Sequence, residues 1–239
     1  MSLFIYDPAI VDRFPGIVGG VVHAVRLTND PSSEAIVEAF TAEQAAALDR
    51  LGQTSLADVP SLAAWRRAFR AFGVDPTTYR SAAEALLRRL TKQGSLPSIN
   101  TLVDCGNLVS IRYALPVAVF DQRAMTGSTT VRFATGAESF TDLGSGERAA
   151  PDPGEVIFID EVGLVAARRW CWRQAAETAS GPGTTAVLVT VEGHHDRARD
   201  DVAAALADLE ALLREHAGPA TMASGIVDAS SPSFEGLGR

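Results

Sequence analysis

The sequence has 239 residues, of which 46% are apolar and 21% are charged, a composition that excludes wholesale disorder, collagen and a coiled coil. A net charge of -8 argues against non-specific binding to nucleic acid, DNA included, because that affinity depends on a cationic surface. No apolar run reaches the roughly 20 residues of a bilayer span, and the N-terminus lacks a signal-peptide pattern. We therefore expect a folded, cytoplasmic protein without a membrane partner.

The N-terminal part of the chain predicts a strand followed by helices. Residues 17–27 (IVGGVVHAVRL) are rich in β-branched side chains, which indicates a strand. Gly19 and Gly20 inside it mark a bulge or a close backbone approach. Residues 33–51 and 61–72 place apolar side chains at helical spacing. The chain is thus expected to begin with one strand and two helices.

The middle of the chain predicts two more helices and then a short buried strand. Ser81 and Glu84 form a capping box, and Gly94 ends that helix. Ser98 is the predicted cap of the next helix, which Pro116 ends. The apolar run after Pro116 is short enough to be a buried strand.

The second half of the chain predicts closely spaced strands and a long final helix. The strands cover residues 129–134, 155–159, 163–170 and 185–191, and the helix covers residues 196–216. Residues 218–239, rich in Gly and Ser, are predicted to form a loosely ordered tail. Strands interrupted by helices without a βαβ order indicate an α+β fold. We expect a barrel-like, strongly bent, mainly antiparallel sheet with helices packed around it.

Motifs for a metal, a cofactor or a catalytic nucleophile are not found in the sequence. The four histidines lack a second ligand at the spacing of a zinc enzyme, and Cys105 and Cys171 form no CxxC pair. The sequence also lacks a GxSxG elbow and a phosphate-binding loop. We therefore expect no metal and no cofactor.

Three polar residues are embedded in an apolar stretch of the predicted helix before Pro116. Asn100, Asp104 and Asn107 are spaced i, i+4 and i+7, which places them on one helix face. One interpretation is that they satisfy neighbouring backbone groups near the strand that ends in Asp121. The other is that Asn100, nearest the helix N-terminus, meets an anionic or carbonyl ligand.

A second polar segment, RRWCWRQAAET, covers residues 168–178. Its Trp and Arg side chains can stack on a base or an aromatic group and bind a carboxylate or phosphate. The alternative is a sheet edge whose arginines pair with surface acids. Arg173 and Gln174, at the turn, remain site candidates under either interpretation.

Basic side chains cluster around the helix that begins near Ser81. Such a cluster is either a phosphate-facing surface or a solvated helix face. Its members are Arg80, Arg88, Arg89 and Lys92.

The block LPSINTLVDCGNLVSIRYALPVAVFD, residues 96–121, resembles the tRNA-binding editing domain of the phenylalanyl-tRNA synthetase beta subunit, in the form of a free-standing bacterial protein. The resemblance continues through YRSAAEALLRRL, PDPGEVIFIDEVG, RRWCWRQAAET and TTAVLVTVEG, and covers about residues 65–193. Ala118 stands where the synthetase has a histidine. The segment around Trp172 and Glu177 replaces the synthetase's Gly-Gly-Glu turn.

The resemblance implies one synthetase-editing-like domain over residues 1–217, with residues 1–60 as N-terminal strand and helices, a core over 61–193 and a final helix over 194–217. It implies a pocket that hydrolyses the ester of a mischarged aminoacyl-tRNA with a positioned water rather than a protein nucleophile. The catalytic groups would be Asn100, Gln174 and Glu177. The substrate-binding groups would be Arg173, Trp172, Asp104 and Asn107, and the tRNA surface would comprise Arg80, Arg88, Arg89 and Lys92.

Three hypotheses for the function remain open. The first is a trans-editing aminoacyl-tRNA deacylase, whose partner is tRNA or aminoacyl-tRNA. The second is a noncatalytic module that binds a tRNA end or an amino-acid-like metabolite. The third is a hydrolase of small amino-acid esters or amides. The site assignment common to them predicts that Asn100 and the Arg173–Gln174 corner converge on one recess.

Overall fold

The computed structural model of the protein describes residues 2–238. Its helices are α1 (Pro8–Arg13), α2 (Glu34–Leu51), α3 (Pro60–Ala71), α4 (Ala82–Gln93), α5 (Thr101–Tyr113) and α6 (Ala198–His216). Its strands are β1 (Ser2–Tyr6), β2 (Val18–Val25), β3 (Val117–Asp121), β4 (Thr129–Phe133), β5 (Phe140–Thr141), β6 (Arg148–Ala149), β7 (Val156–Ile159), β8 (Val165–Arg168), β9 (Arg173–Gln174), β10 (Ala186–Gly193), β11 (Thr221–Asp228) and β12 (Ser233–Glu235). None of these helices combines the length and the apolar character that a membrane crossing demands.

The strands form two main sheets and one small hairpin. The larger sheet has six strands in the order β12-β1-β4-β7-β8-β9, and the second has four in the order β11-β2-β10-β3. Strands β5 and β6 pair with each other. All pairs in the two main sheets are antiparallel except β1 with β4, which is parallel. The predicted α+β class with mainly antiparallel pairing is therefore confirmed.

Two features of the expected architecture differ in the structure. The sheets do not close into a barrel within residues 2–238, so the barrel-like form is not confirmed. The prediction of a loosely ordered tail over residues 218–239 is wrong, because β11 pairs with β2 and β12 pairs with β1. Ser224 and Gly225 lie in β11 and Ser233 in β12, and both are edge strands.

The two central strands of the four-stranded sheet, β2 and β10, are buried on both faces, and this explains their mainly apolar sequences. Val21 and Leu188 pack into a core between the two sheets, together with α1 and α3. Val22 and Val189 on the opposite face pack against α5 and α6. Successive strand residues point to opposite faces, so a strand covered on both sides has no polar alternation. A third apolar cluster joins α2, α4 and α5.

The helix ends test the capping predictions. As predicted, the Ser81 hydroxyl accepts a hydrogen bond from the Glu84 amide at 3.3 Å, and Gly94 ends α4 with a φ of 79°. The Glu84 carboxylate pairs with Arg66, so the second half of the predicted capping box does not form. Ser98 does not cap α5, because Asn100 occupies that position and its Oδ1 accepts from the Val103 amide at 3.1 Å. The helix thus begins two residues later than predicted.

Candidate functional site

A small recess opens between β3 and the segment that follows β8. Its cavity volume is about 70 Å³. Among the wall residues, Pro116, Val117, Ala118 and Phe120 belong to β3 and the turn before it, while Trp170, Cys171, Trp172, Arg173 and Gln174 follow β8. Ala82 at the start of α4, Phe158 on β7, Ala167 on β8 and Thr190 and Glu192 on β10 complete it. Residues from distant parts of the chain therefore meet here.

Strand β8 ends abruptly, and this creates the near wall of the recess. Arg169 and Trp170 adopt left-handed conformations, with φ of 44° and 62°, which residues other than glycine seldom do. The Trp170 side chain turns inward and is fully buried. The residues that follow, up to Gln174, then line the recess mouth.

Glu192 forms the floor of the recess because of its position on β10. Leu188, Thr190 and Glu192 alternate along the strand and therefore share the face that looks between the two sheets. The Oε1 atom of Glu192 accepts a hydrogen bond from the Tyr6 hydroxyl at 2.6 Å and another from Trp170 Nε1 at 3.0 Å. Both donors are fully buried.

Gly19 makes this contact possible. It pairs with Glu192 in the register of β2 and β10, and a Cβ atom there would overlap the Tyr6 hydroxyl. Only a residue without a side chain leaves room for the Tyr6 ring to reach across β2. The close approach predicted at Gly19 is therefore confirmed, and it links β1 to the recess floor.

Burial dominates the electrostatics of the floor. It raises the pKa of Glu192 to about 7, although the hydrogen bonds from Tyr6 and Trp170 favour the carboxylate. Burial, with the nearby Glu192, also raises the pKa values of Tyr6 and of the Cys171 thiol. Glu192 is thus the acidic group of the recess that changes charge near neutral pH.

Gln174 and Arg173 stand at the recess mouth with different roles. Gln174 Nε2 donates to the carbonyl oxygens of Val119 at 2.9 Å and Thr178 at 2.8 Å, which leaves its Oε1 atom without a hydrogen-bond partner among residues 2–238. Arg173 is half exposed and lies 3.8 Å from the Asp142 carboxylate. The mouth therefore offers one fixed acceptor and one movable cation.

Trp172 is held at the mouth by cations and a ring. The guanidinium carbon of Arg169 lies 3.9 Å from the ring centre of Tyr79 and 4.7 Å from that of Trp172. Arg173 contacts Trp172 at 5.2 Å, and Asp152 binds Arg169 at 2.8 Å. These cation–π contacts fix the plane of Trp172.

Asn100 and Asp104 lie outside the recess. Besides its capping contact, Asn100 donates from Nδ2 to the Ser180 carbonyl at 3.3 Å. Asp104 is fully buried and accepts from Ser32 at 2.6 Å, Ser98 at 2.5 Å and the Ile99 amide at 3.0 Å. The predicted convergence of Asn100 with the Arg173–Gln174 corner is therefore wrong, because both side chains are used to hold the start of α5.

The other predicted site residues occupy separate surfaces. Asn107 is on α5, half-buried and not part of the recess wall. Glu177 is exposed and accepts a hydrogen bond from the Thr141 hydroxyl at 2.7 Å. Of the basic cluster, Arg80 lies 3.8 Å from Glu84. The exposed members on α4 are Arg88, Arg89 and Lys92.

Sequence reasoning missed the recess floor. Glu192 was visible as the single charged residue in the apolar strand TTAVLVTVEG, and a charge at an inward position of a buried strand is a functional signal. Tyr6 gave no such signal, because it lies 186 residues from Glu192 in sequence. The segment RRWCWRQAAET indicates stacking or a sheet edge for its Trp residues, and neither interpretation predicts that Trp170 donates to a buried carboxylate.

Comparisons with known proteins address the family and the fold. No curated protein matches the chain by sequence. Among solved structures, an N-terminal fragment of the phenylalanyl-tRNA synthetase beta subunit from Pyrococcus horikoshii is similar, with 13% identity and a TM-score of 0.48. The match covers 94% of this chain and 50% of that fragment, so this chain spans about half the length of that relative.

The family comparison covers the recess walls. The profile of the B3/4 domain matches residues 64–217, more than half of the chain. This match bears out the family resemblance predicted from the sequence, while a free-standing bacterial origin stays a prediction. The chain therefore belongs to the B3/4 domain family.

Proposed function

We propose that the protein is a tRNA-binding, trans-editing factor that hydrolyses the ester of a mischarged aminoacyl-tRNA in the cytoplasm. The observation that carries the proposal is the recess itself. It lies almost wholly within the family segment, and its mouth holds Arg173, Gln174 and Trp172. A guanidinium, an amide acceptor and an indole ring are the groups that an aminoacyl ester on a nucleotide would need for recognition.

The hydrolysis needs little from the protein because an aminoacyl ester is already activated. Gln174 is fixed by two backbone acceptors, so its free Oε1 atom would accept a hydrogen bond from the attacking water and hold it in place. Arg173 would leave Asp142, 3.8 Å away, and stabilise charge that develops on the ester oxygen. Asn100 and Glu177 take no part in this scheme.

The exposed face of α4 would guide the tRNA to the recess. Ala82, the first residue of α4, lines the recess wall. Lys92 follows ten positions later on the same helix, about 15 Å further along its axis, with exposed Arg88 and Arg89 between. A single-stranded tRNA end would therefore meet cationic side chains before it reaches the mouth.

A deacylation assay with a panel of mischarged tRNAs tests the proposal. We expect hydrolysis of at least one, and a fall in rate of about tenfold or more in Gln174→Ala and in Arg173→Ala, since each removes a positioning or charge-stabilising group. Gln53→Ala and Arg70→Ala, which change exposed residues of the same types, are the matched controls and should keep the full rate. Equal losses in these controls would contradict the site assignment.

A binding assay tests the tRNA surface separately. Replacing Arg88, Arg89 and Lys92 with Ala should weaken tRNA binding and lower the salt dependence of log K by about one unit for each phosphate that is no longer neutralised. The rate with a small aminoacyl ester should not change in this triple variant. An unchanged salt dependence would place the tRNA elsewhere on the protein.

A noncatalytic binding module is the second candidate, and one observation favours it. Ala118 lines the recess at the position where the resemblance gives a histidine, so the wall has no imidazole there. Saturable tRNA binding without hydrolysis of any member of the panel would favour this candidate over a deacylase.

A further inference from the structure

Glu192 differs from the other buried carboxylates of the chain. Within residues 2–238, seven acidic residues are buried: Glu43, Glu84, Asp104, Asp121, Glu155, Asp160 and Glu192. Four of them are paired with arginine: Glu43, Glu84, Asp121 and Glu155. Asp104 and Asp160 have no cation but accept N–H or O–H hydrogen bonds on both oxygens. A buried carboxylate in this protein thus normally has both oxygens occupied.

Glu192 has neither arrangement. Tyr6 and Trp170 both donate to its Oε1 atom, and within residues 2–238 neither an arginine nor a lysine pairs with it. Its Oε2 atom has no donor among those residues, and the residue lines the recess. Oε2 is not one of the enclosed side-chain atoms that lack a partner, so it faces the open space of the recess, where a molecule that enters can donate a hydrogen bond to it. The arrangement therefore points to a donor supplied by a ligand.

The surroundings of Oε2 select the chemistry of that donor. The free Oε1 atom of Gln174 is a second acceptor on the same recess. The rings of Phe120, Phe158, Trp170 and Trp172 also line it, and ring faces attract cations. Acceptors and aromatic rings together favour a small cation that carries several donor hydrogens.

The size of the recess limits the ligand further. Its volume of about 70 Å³ is far below the roughly 300 Å³ at which pockets for drug-sized ligands begin. One small group fits, whereas a complete aminoacyl nucleotide does not. The rest of any larger ligand must extend past Trp172 and Arg173 at the mouth.

We propose that the recess floor is a primary-ammonium site, in which the ligand's ammonium group donates to Glu192 Oε2 and rests against the surrounding rings. The inference rests on the proposed function, because it takes this recess as the ligand site. It adds that the ammonium group is the part of the ligand that enters the recess first. An aminoacyl ester has an α-ammonium group, and a basic side chain would present a second one. The α-ammonium group and the side-chain ammonium group would make the same contacts with Glu192, and the probes below distinguish between them.

Fluorescence titration of the full chain at pH 7.5 tests the proposal, because Trp170 and Trp172 line the recess. Propylammonium should quench or shift the emission saturably and bind about tenfold or more tightly than 1-propanol, which has the same shape without the charge. L-alaninamide binding would identify the α-ammonium as the group, and N-acetyl-L-lysinamide binding would identify a side-chain ammonium. N-acetyl-L-alaninamide, which has no ammonium, should not bind. Equal affinity for propylammonium and 1-propanol, or no saturable response to any ammonium probe, would overturn the inference.

The Glu192→Gln variant adds a second test. It keeps the shape and the acceptor for Tyr6 and Trp170, and it should lose at least about tenfold in propylammonium affinity. Glu38→Gln, the same change at an exposed residue of α2, is the control and should bind like the wild type. Wild-type affinity in a folded Glu192→Gln protein would overturn the inference. If this variant does not fold, the comparison of propylammonium with 1-propanol on the wild type still tests whether the recess binds an ammonium group.

The pH dependence gives an independent readout. The titratable groups that contact or face Glu192 are Tyr6 from β1 and Cys171 after β8, and both have raised pKa values, while Arg173 stands at the mouth. Propylammonium affinity should therefore fall as the pH decreases through about 7, where Glu192 gains its proton. Affinity that is constant from pH 8 to pH 6 would contradict the assignment to Glu192. Ammonium binding without tRNA hydrolysis would refute the proposed deacylase alone, and hydrolysis without ammonium binding would refute this inference alone.

Discussion

The start of α5 and the floor of the recess each contain a buried carboxylate, and they use it in opposite ways. Asp104 accepts three hydrogen bonds spread over both oxygens, and the donors come from its own helix start and from Ser32. Glu192 accepts two, both on Oε1. Equal burial therefore does not mean an equal role. The distribution of donors over the two oxygens separates the structural carboxylate of Asp104 from the carboxylate of Glu192, which lines the recess.

The largest effect expected from this contrast is on stability at Asp104. Asp104→Ala should lower the free energy of unfolding by about 3 kcal/mol, since each hydrogen bond to a buried charged group contributes about 1.5 to 3 kcal/mol and the exposed donors regain water. Urea denaturation at pH 8 measures this. Glu192→Gln is the paired variant, and it should be as stable as the wild type or more so. A loss below about 1 kcal/mol in Asp104→Ala would remove the distinction between the two carboxylates.

The pH dependence of stability sharpens the contrast at Glu192. The folded-state pKa of Glu192 is raised from 4.5 to about 7, so its contribution falls as the pH rises between these values. Burial lowers the pKa of His194 from 6.5 to about 3, and its contribution falls as the pH drops through that range. In the wild type the Glu192 slope opposes the His194 slope between pH 4.5 and 6.5, and buried His23, whose pKa is also lowered, adds to the His194 side.

Glu192→Gln removes one of these slopes. The variant should lose about 1.4 kcal/mol of stability per pH unit more than the wild type as the pH decreases from 6.5 to 4.5, because Glu192 no longer opposes the contributions of His194 and His23. Urea denaturation across this range measures the difference, with Glu38→Gln as the control that should keep the wild-type profile. The pKa values of Asp75, Glu138 and Asp228, lowered to about 2, affect stability mainly at more acidic pH. Identical profiles of the wild type and Glu192→Gln would show that Glu192 is not the raised acid.

Replacement of Asn100 is expected to have a smaller effect on stability than replacement of Asp104. Asn100→Ala removes the cap of α5 and should cost about 1 kcal/mol of stability. Hydrolysis and propylammonium binding should be unchanged, because Asn100 does not line the recess. Thermal unfolding and the deacylation assay measure the two effects together. Loss of activity in an Asn100→Ala protein that keeps its stability would show that Asn100 belongs to the site.

The smallest effect is expected at Glu177. Glu177→Gln changes an exposed carboxylate that contacts Thr141, and it should alter stability by less than about 0.5 kcal/mol. Activity should also remain at the wild-type level. A clear loss of activity would mean that Glu177 reaches the ligand despite its distance from the recess wall.

Local patterns in the sequence predicted α2 to α6 and the strands β2, β3, β4, β7, β8 and β10, but not β1, α1, β11 or β12, and they predicted the site only in part. The capping box at Ser81, the close approach at Gly19 and the corner at Arg173 and Gln174 depend on residues near each other in sequence. Helical spacing placed Asn100 on a functional face, but spacing alone does not distinguish an N-cap from a wall residue. The contact of Tyr6 with Glu192 depends on how β1, β2 and β10 are stacked, which no local pattern encodes.

The Tyr6 hydroxyl has a consequence for anyone who shortens this protein. The family segment begins at residue 64, yet one of the two donors to Glu192 comes from β1, and the glycine that admits it comes from β2. A fragment trimmed to the family boundaries would thus contain Glu192 without the Tyr6 hydroxyl, and the recess would be open on the side that β1 covers. Alignments restricted to that segment would overlook the same pair of positions.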